Sequence, residues 1–173
     1  MTNGVEVLGV DPATGRELSY VRLATAADLQ RQHLPPRPFA CLLAWHVDTA
    51  TNAELARIAR LLRDAGCGYV CAHGRGSSRV DDAVDEEGIS MQLDEGLRVP
   101  FVMTTWHDDE PIADTLFFFL VHTSIEDATD DPDYLPWGAE CRHAVVVDIG
   151  GALGDGREVR AALRDPTAFC TGR

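Results

Sequence analysis

Two short segments of this 173-residue chain repeat one chemically capable pattern: Trp45-His46-Val47-Asp48 and Trp106-His107-Asp108-Asp109. In each, an imidazole that titrates near neutral pH stands two residues before a carboxylate. Such groups could act as acid and base on a bound substrate. His46, His107 and Asp109 could instead hold a divalent zinc, iron or manganese ion. In a third reading, Trp45 and Trp106 stack on a flat ligand while His46, Asp48, His107 and Asp109 orient it. A purely structural reading competes with all three. Asp108, Asp109 and Glu110 would complement a helix start in front of Pro111, and the tryptophans would finish the core.

A second segment, Cys71-Ala72-His73-Gly74-Arg75-Gly76-Ser77-Ser78-Arg79, could cradle an anion. His73, Arg75, Ser77, Ser78 and Arg79 stand around two glycines at a helix start, and arginine forks match phosphate or carboxylate. A cysteine phosphatase loop would need arginine six residues after Cys71, where Ser77 stands. No G-x-G-x-x-G occurs in this loop, and a solvated Gly-Ser turn explains it equally well. Elsewhere, Gly150 to Gly156 reads as a loop whose Asp155 would repel phosphate, and Asp148 could join a site from a strand end. His122 reads as a charge at a helix C-terminus. The chain has no G-x-S-x-G, and Cys67-x-x-x-Cys71 lacks a second cysteine pair.

Composition narrows these readings. All 15 basic residues are arginine, against 28 acids, for a net charge of -13. Without lysine, Walker-type phosphate loops and Schiff-base chemistry are excluded. The acidity argues against nucleic acid as a partner. The acidic runs Asp81 to Glu87 and Glu126 to Asp133 suit either solubility or a basic protein partner. Five cysteines, an odd number beside apolar runs, point to free thiols in a reducing, cytoplasmic setting. The longest apolar run, Leu116 to Val121, is far too short to span a bilayer.

The elements that must position these residues follow from periodicity. Val5–Val10 and Glu17–Leu23 read as a β-hairpin, followed by a short helix opening at Thr25. Four apolar runs without alternation read as buried strands: Phe39–Trp45, Tyr69–Ala72, Val99–Trp106 and Ala144–Ile149. Between them, Thr51-Asn52-Ala53-Glu54 is a capping box opening an amphipathic helix, with Arg57, Arg60 and Arg63 expected outside. A second helix starts at Ser78 and is expected to break at Gly88. A third follows Pro111, residues 127–138 read as a polar loop, and a last helix covers Val159 to Leu163.

The alternation predicts a single α/β domain over residues 1–173, with residues 1–37 as its N-terminal extension. It is a three-layer fold around a four-stranded, mainly parallel sheet. Counted from the Phe39 strand, the favoured order is 2-1-3-4, with the N-terminal hairpin extending one edge or forming a flap. That order makes the two Trp-His-x-Asp strand ends neighbours, so a site would lie where they converge.

The segment Thr104-Thr105-Trp106-His107-Asp108-Asp109-Glu110-Pro111, with the apolar run behind it, resembles a group of small bacterial α/β proteins with no assigned activity. The resemblance implies a bacterial, cytoplasmic protein and carries over no catalytic residue. The best reading is a small-ligand site, phosphorylated or metal-assisted, at the carboxyl edge of the sheet. Its cofactor and reaction stay open. The alternatives are an acidic module that binds a basic partner and a homo-oligomer built on the hairpin or on Phe117 to Leu120.

Overall fold

The computed structural model describes residues 4–125 and 136–173, so the acidic run 126–133 and most of the expected loop lie outside it. Among the described residues are six strands and six helices. The strands are β1 (Glu6–Val10), β2 (Glu17–Leu23), β3 (Phe39–Ala44), β4 (Cys67–His73), β5 (Met103–His107) and β6 (His143–Ile149). The helices are α1 (Asn52–Ala65), α2 (Ser78–Leu93), α3 (Ile112–His122), α4 (Pro136–Glu140), α5 (Arg157–Arg164) and α6 (Pro166–Thr171). All six strands form one mixed sheet in the order β1-β2-β6-β3-β4-β5, with only β1 antiparallel to its neighbour.

This corrects the expected order. Counted as before, the four expected strands run 4-1-2-3, and β4 separates the two Trp-His-x-Asp ends. Burial gives the reason. Val145, Val146 and Val147 of β6 are wholly buried, which requires a central position. In β5, Met103, Thr104 and Thr105 are half-buried and Trp106 is exposed, as suits an edge. The hairpin joins the sheet through β2, itself an interior strand, and leaves β1 at the far edge.

One core lies under α1 and α2, the other under α3, α5 and α6. Each fully buried aliphatic side chain, such as Leu42 or Ile58, stabilises the fold by about 1.5–3 kcal/mol. The capping box opens α1: Thr51 Oγ1 accepts from Glu54 N at 3.2 Å, and Glu54 Oε2 accepts from Thr51 N at 2.8 Å. Arg63, expected outside, is buried. Its Nε donates to Val84 O at 2.8 Å and its Nη1 to Pro100 O at 3.2 Å, tying α1 to α2 and to the approach of β5. Arg63 also explains Gly88, which does not break α2. A Cβ there would come within 2.4 Å of the Arg63 guanidinium, so any other residue would have to displace it from its place between α1 and α2. The third strand starts at Met103 rather than Val99, and α6 had not been expected. All five cysteines are free, and four are buried. No helix among the described residues is long and apolar enough to cross a membrane.

Candidate functional site

The chain runs from β3 through α1 to β4 and through α2 to β5, then returns by way of α3 to β6 on the other side of β3. Strand order therefore reverses between β3 and β6, and the general rule for such sheets puts a ligand at that crevice. Here the position is built differently. Asp148, near the end of β6, is completely buried. Its Oδ2 accepts from the Tyr20 hydroxyl at 2.7 Å and lies 3.6 Å from Arg22 Nε. Its Oδ1 accepts from Leu153 N at 3.2 Å. Arg160 stacks 4.2 Å above the Tyr20 ring. Burial first, then the hydrogen bond and charge of Asp148, push the Tyr20 phenol well above its ordinary pKa. Every group in this cluster is satisfied by the chain itself, so it fastens the 150–156 loop to β2 and β6.

At β4 and β5 the picture differs. His73 and His107 are register partners at the ends of neighbouring strands, and both turn toward α3. His73 is buried, and its Nδ1 hydrogen-bonds with the Thr115 hydroxyl in the first turn of α3 at 2.9 Å. Burial, then the nearby His107 and His46, hold the His73 pKa below its usual value, so the ring is neutral at neutral pH. His107 is buried against Phe118, with ring centroids 5.0 Å apart. Its Nδ1 lies 2.7 Å from Glu110 Oε2. A carboxylate only accepts, so Nδ1 carries a proton, and in the neutral ring Nε2 then presents a lone pair. That Nε2 is buried and has no hydrogen-bond partner.

The loops around this pair are stitched together from within. Asp108 accepts from the Ser77 hydroxyl and from Ser78 N at 3.2 Å, and so occupies the N-terminus of α2. Ser77, wholly buried, accepts in turn from His107 N at 3.2 Å. Asp108 and Glu110 thus serve α2 and His107 rather than the start of α3. Arg79 is spent on the carbonyls of Val47 and Ala50 and on Asn52. Arg75 is exposed and pairs with Asp48 at 3.3 Å, while its N–H donates to His46 Nδ1 at 3.1 Å. Gly74, at φ +118, allows this turn; a Cβ there would stand 2.7 Å from Trp45 O and 2.9 Å from His46 Nδ1. The expected cradle of Gly74 to Arg79 is therefore filled by the chain's own carboxylate.

Trp45 lies in the core beneath α1, Trp106 is exposed on β5, and Asp109 is exposed beyond it. The tryptophans do not face one another across a common site. Among the described residues, no group of three or more His, Cys, Asp or Glu side chains could hold a metal ion. His46 stands near enough to His73 to help lower its pKa, and its Nδ1 is taken by Arg75 N. Cys71, two residues before His73, is buried with its thiol pushed up to about 12, which makes it core rather than nucleophile. Glu110, Thr115 and Phe118 were missed as site residues. Glu110, three residues after His107, was the available signal, whereas Thr115 and Phe118 meet the site only through packing.

Fold and site together define an α/β protein with a doubly wound sheet and a buried histidine pair at its carboxyl edge. The family model described as a domain of unknown function, DUF7684, matches residues 18–165, and the chain belongs to that family. No curated protein matches the chain.

Proposed function

We propose that the protein binds a small polar ligand at the carboxyl ends of β4 and β5, and that His107 Nε2 receives a hydrogen bond from it. One observation carries this reading. His107 is oriented through Nδ1 by Glu110, yet its Nε2 is buried without a partner. An unsatisfied buried acceptor costs about 1–3 kcal/mol, a burden that a fold without use for it tends to shed. The ligand supplies the missing donor, a hydroxyl or an amine. Phosphate suits the site poorly, because the carboxylates of Asp108 and Glu110 already stand at the start of α2 and at His107. The same geometry, a carboxylate-oriented imidazole with a free lone pair, is that of a general base. It would take a proton from the bound hydroxyl or amine.

Thermal melting with glycerol, ethanolamine, inorganic phosphate and zinc chloride tests this, on wild type and on His107→Phe. The expected result is a dose-dependent rise in wild type with a hydroxyl or amine probe and none in the variant. Equal responses in both proteins, or a response to phosphate or zinc alone, would refute the reading.

A second reading rests on α2. Asp82, Asp85 and Glu86 are exposed along it and make no ion pair among the described residues. Burial, then the like charge of Asp81, raises the Asp85 carboxyl pKa. A basic protein partner would relieve that repulsion. A pull-down at low salt that recovers no basic protein would remove this reading.

A further inference from the structure

Among the described residues, three buried side-chain atoms have no hydrogen-bond partner: Thr105 Oγ1, His107 Nε2 and His143 Nδ1. Unpaired buried polar atoms are scarce in folded proteins. His143 stands at the start of β6, and its Nδ1 lies 3.5 Å from a Glu17 carboxylate oxygen. The other two share one strand. Thr105 and His107 are two residues apart on β5, so they stand on the same face, roughly 7 Å apart along the strand. That face looks toward α3. Met103, in the same row, packs against the core that holds Leu116 and Phe119, and His107 meets Phe118. The other row faces the opposite layer, where Thr104 donates a hydrogen bond to Asp81 of α2. Nothing among the described residues pairs with Thr105. Its register partner on β4 is Cys71, and Tyr69 precedes Cys71 in the same row. The Thr105 hydroxyl stands close enough to steady the ionised form of either. Burial keeps both protonated at neutral pH, so the hydroxyl is left over. Because β5 is the edge of the sheet and Met103 and Thr105 are only half-buried, the row can be reached from the outer side of the strand.

We propose that Thr105 is the second anchor of the ligand at His107, and that this ligand is a vicinal diol or amino alcohol with one polar head on each residue. The proposal rests on the reading of His107 Nε2 as the acceptor of a ligand hydrogen bond. One head donates to Nε2. The other exchanges a hydrogen bond with Thr105 Oγ1, which can donate or accept. Two heads on neighbouring carbons, each a hydrogen bond of about 2.8 Å from its residue, cover the spacing of the two positions. A monohydric alcohol or a simple amine fills one position and leaves the other buried and unpaired, so the site selects against it.

Amide chemical-shift titrations of the full chain compare ethylene glycol and ethanolamine, which have two heads, with ethanol and ethylamine, which have one. Wild type is expected to bind the two-headed probes about fivefold more tightly, the worth of one net hydrogen bond. Thr105→Val keeps the branched shape and removes only the unpaired hydroxyl. It is expected to melt no lower than wild type, to bind the single-headed probes as before and to lose the preference. Thr105→Ser keeps a hydroxyl and should retain it. Three results would overturn this inference and leave the reading of His107 standing: no preference in wild type, a preference that persists in Thr105→Val because water or another group holds the second head, or a Thr105→Val that melts lower because the fold already uses the hydroxyl. No response to any probe, or responses that survive His107→Phe, would overturn both.

Discussion

The carboxyl edge of the sheet holds two buried polar clusters that resolve the same problem in opposite ways. Around Asp148 every donor and acceptor finds a partner in the chain: Tyr20, Arg22 and Leu153 close on both carboxylate oxygens. Around His107 the chain supplies all partners but one, and Nε2 is left over. The first cluster sits at the reversal of strand order, where a ligand is expected, and is a structural fastening. The second sits on the edge strand β5, and its Nε2 is left without a partner. The proposed site therefore rests on the unpaired Nε2 of His107 rather than on the position where strand order reverses.

The contrast can be broken most strongly at Asp148. Asp148→Ala leaves the Tyr20 hydroxyl and the Arg22 guanidinium without their buried partner, and is expected to cost about 3–5 kcal/mol in denaturant unfolding. Asp148→Asn keeps a hydrogen-bonding oxygen and should cost less. Asp108→Ala comes next. It removes the cap of α2 and the partner of Ser77, with an expected loss of about 0.5–2 kcal/mol by the same measurement. His107→Phe is expected to change stability least, by about 1 kcal/mol or less, because the ring keeps its contact with Phe118 and the substitution removes an unsatisfied atom. A loss at His107 as large as that at Asp148 would erase the distinction between the clusters.

A smaller effect sharpens it through pH. Unfolded histidine takes up a proton near pH 6.5. In the fold, burial and the neighbouring His107 and His46 make His73 take it up only at lower pH. Between those values the unfolded chain binds more protons, so stability is present above about pH 6.5 and falls as the pH drops below it. His73→Gln should flatten that acid-side decline in a series of melts from pH 7.5 to 5, whereas Asp108→Ala should leave its slope unchanged.

Much of this was legible in the sequence. The capping box at Thr51, the buried runs of β3 and β6 and the placing of His46, His73 and His107 at strand ends all follow from local residue pattern. Strand order did not follow, because it depends on which strands must be buried on both faces. Val145 to Val147 and the half-exposed Met103 to Thr105 decide that only once all strands compete for the centre. Gly88 looked like a helix break because its reason, the Arg63 guanidinium on α1, lies 25 residues away in sequence. The site was legible as residue types but not as pairings. His107 with Glu110 is local, while Asp108 with α2 and His73 with Thr115 join separate elements.

The most direct test of a ligand site at His107 is the long-range nitrogen–proton NMR spectrum of the histidine rings, recorded alone and with ethanolamine or glycerol. An open valence at Nε2 predicts a His107 ring protonated at Nδ1 only, with an Nε2 signal that shifts on adding the probe while the amides of Tyr20 and Asp148 stay in place. A His107 ring that is doubly protonated at pH 7, or that ignores both probes while the Tyr20 and Asp148 amides move, would contradict it.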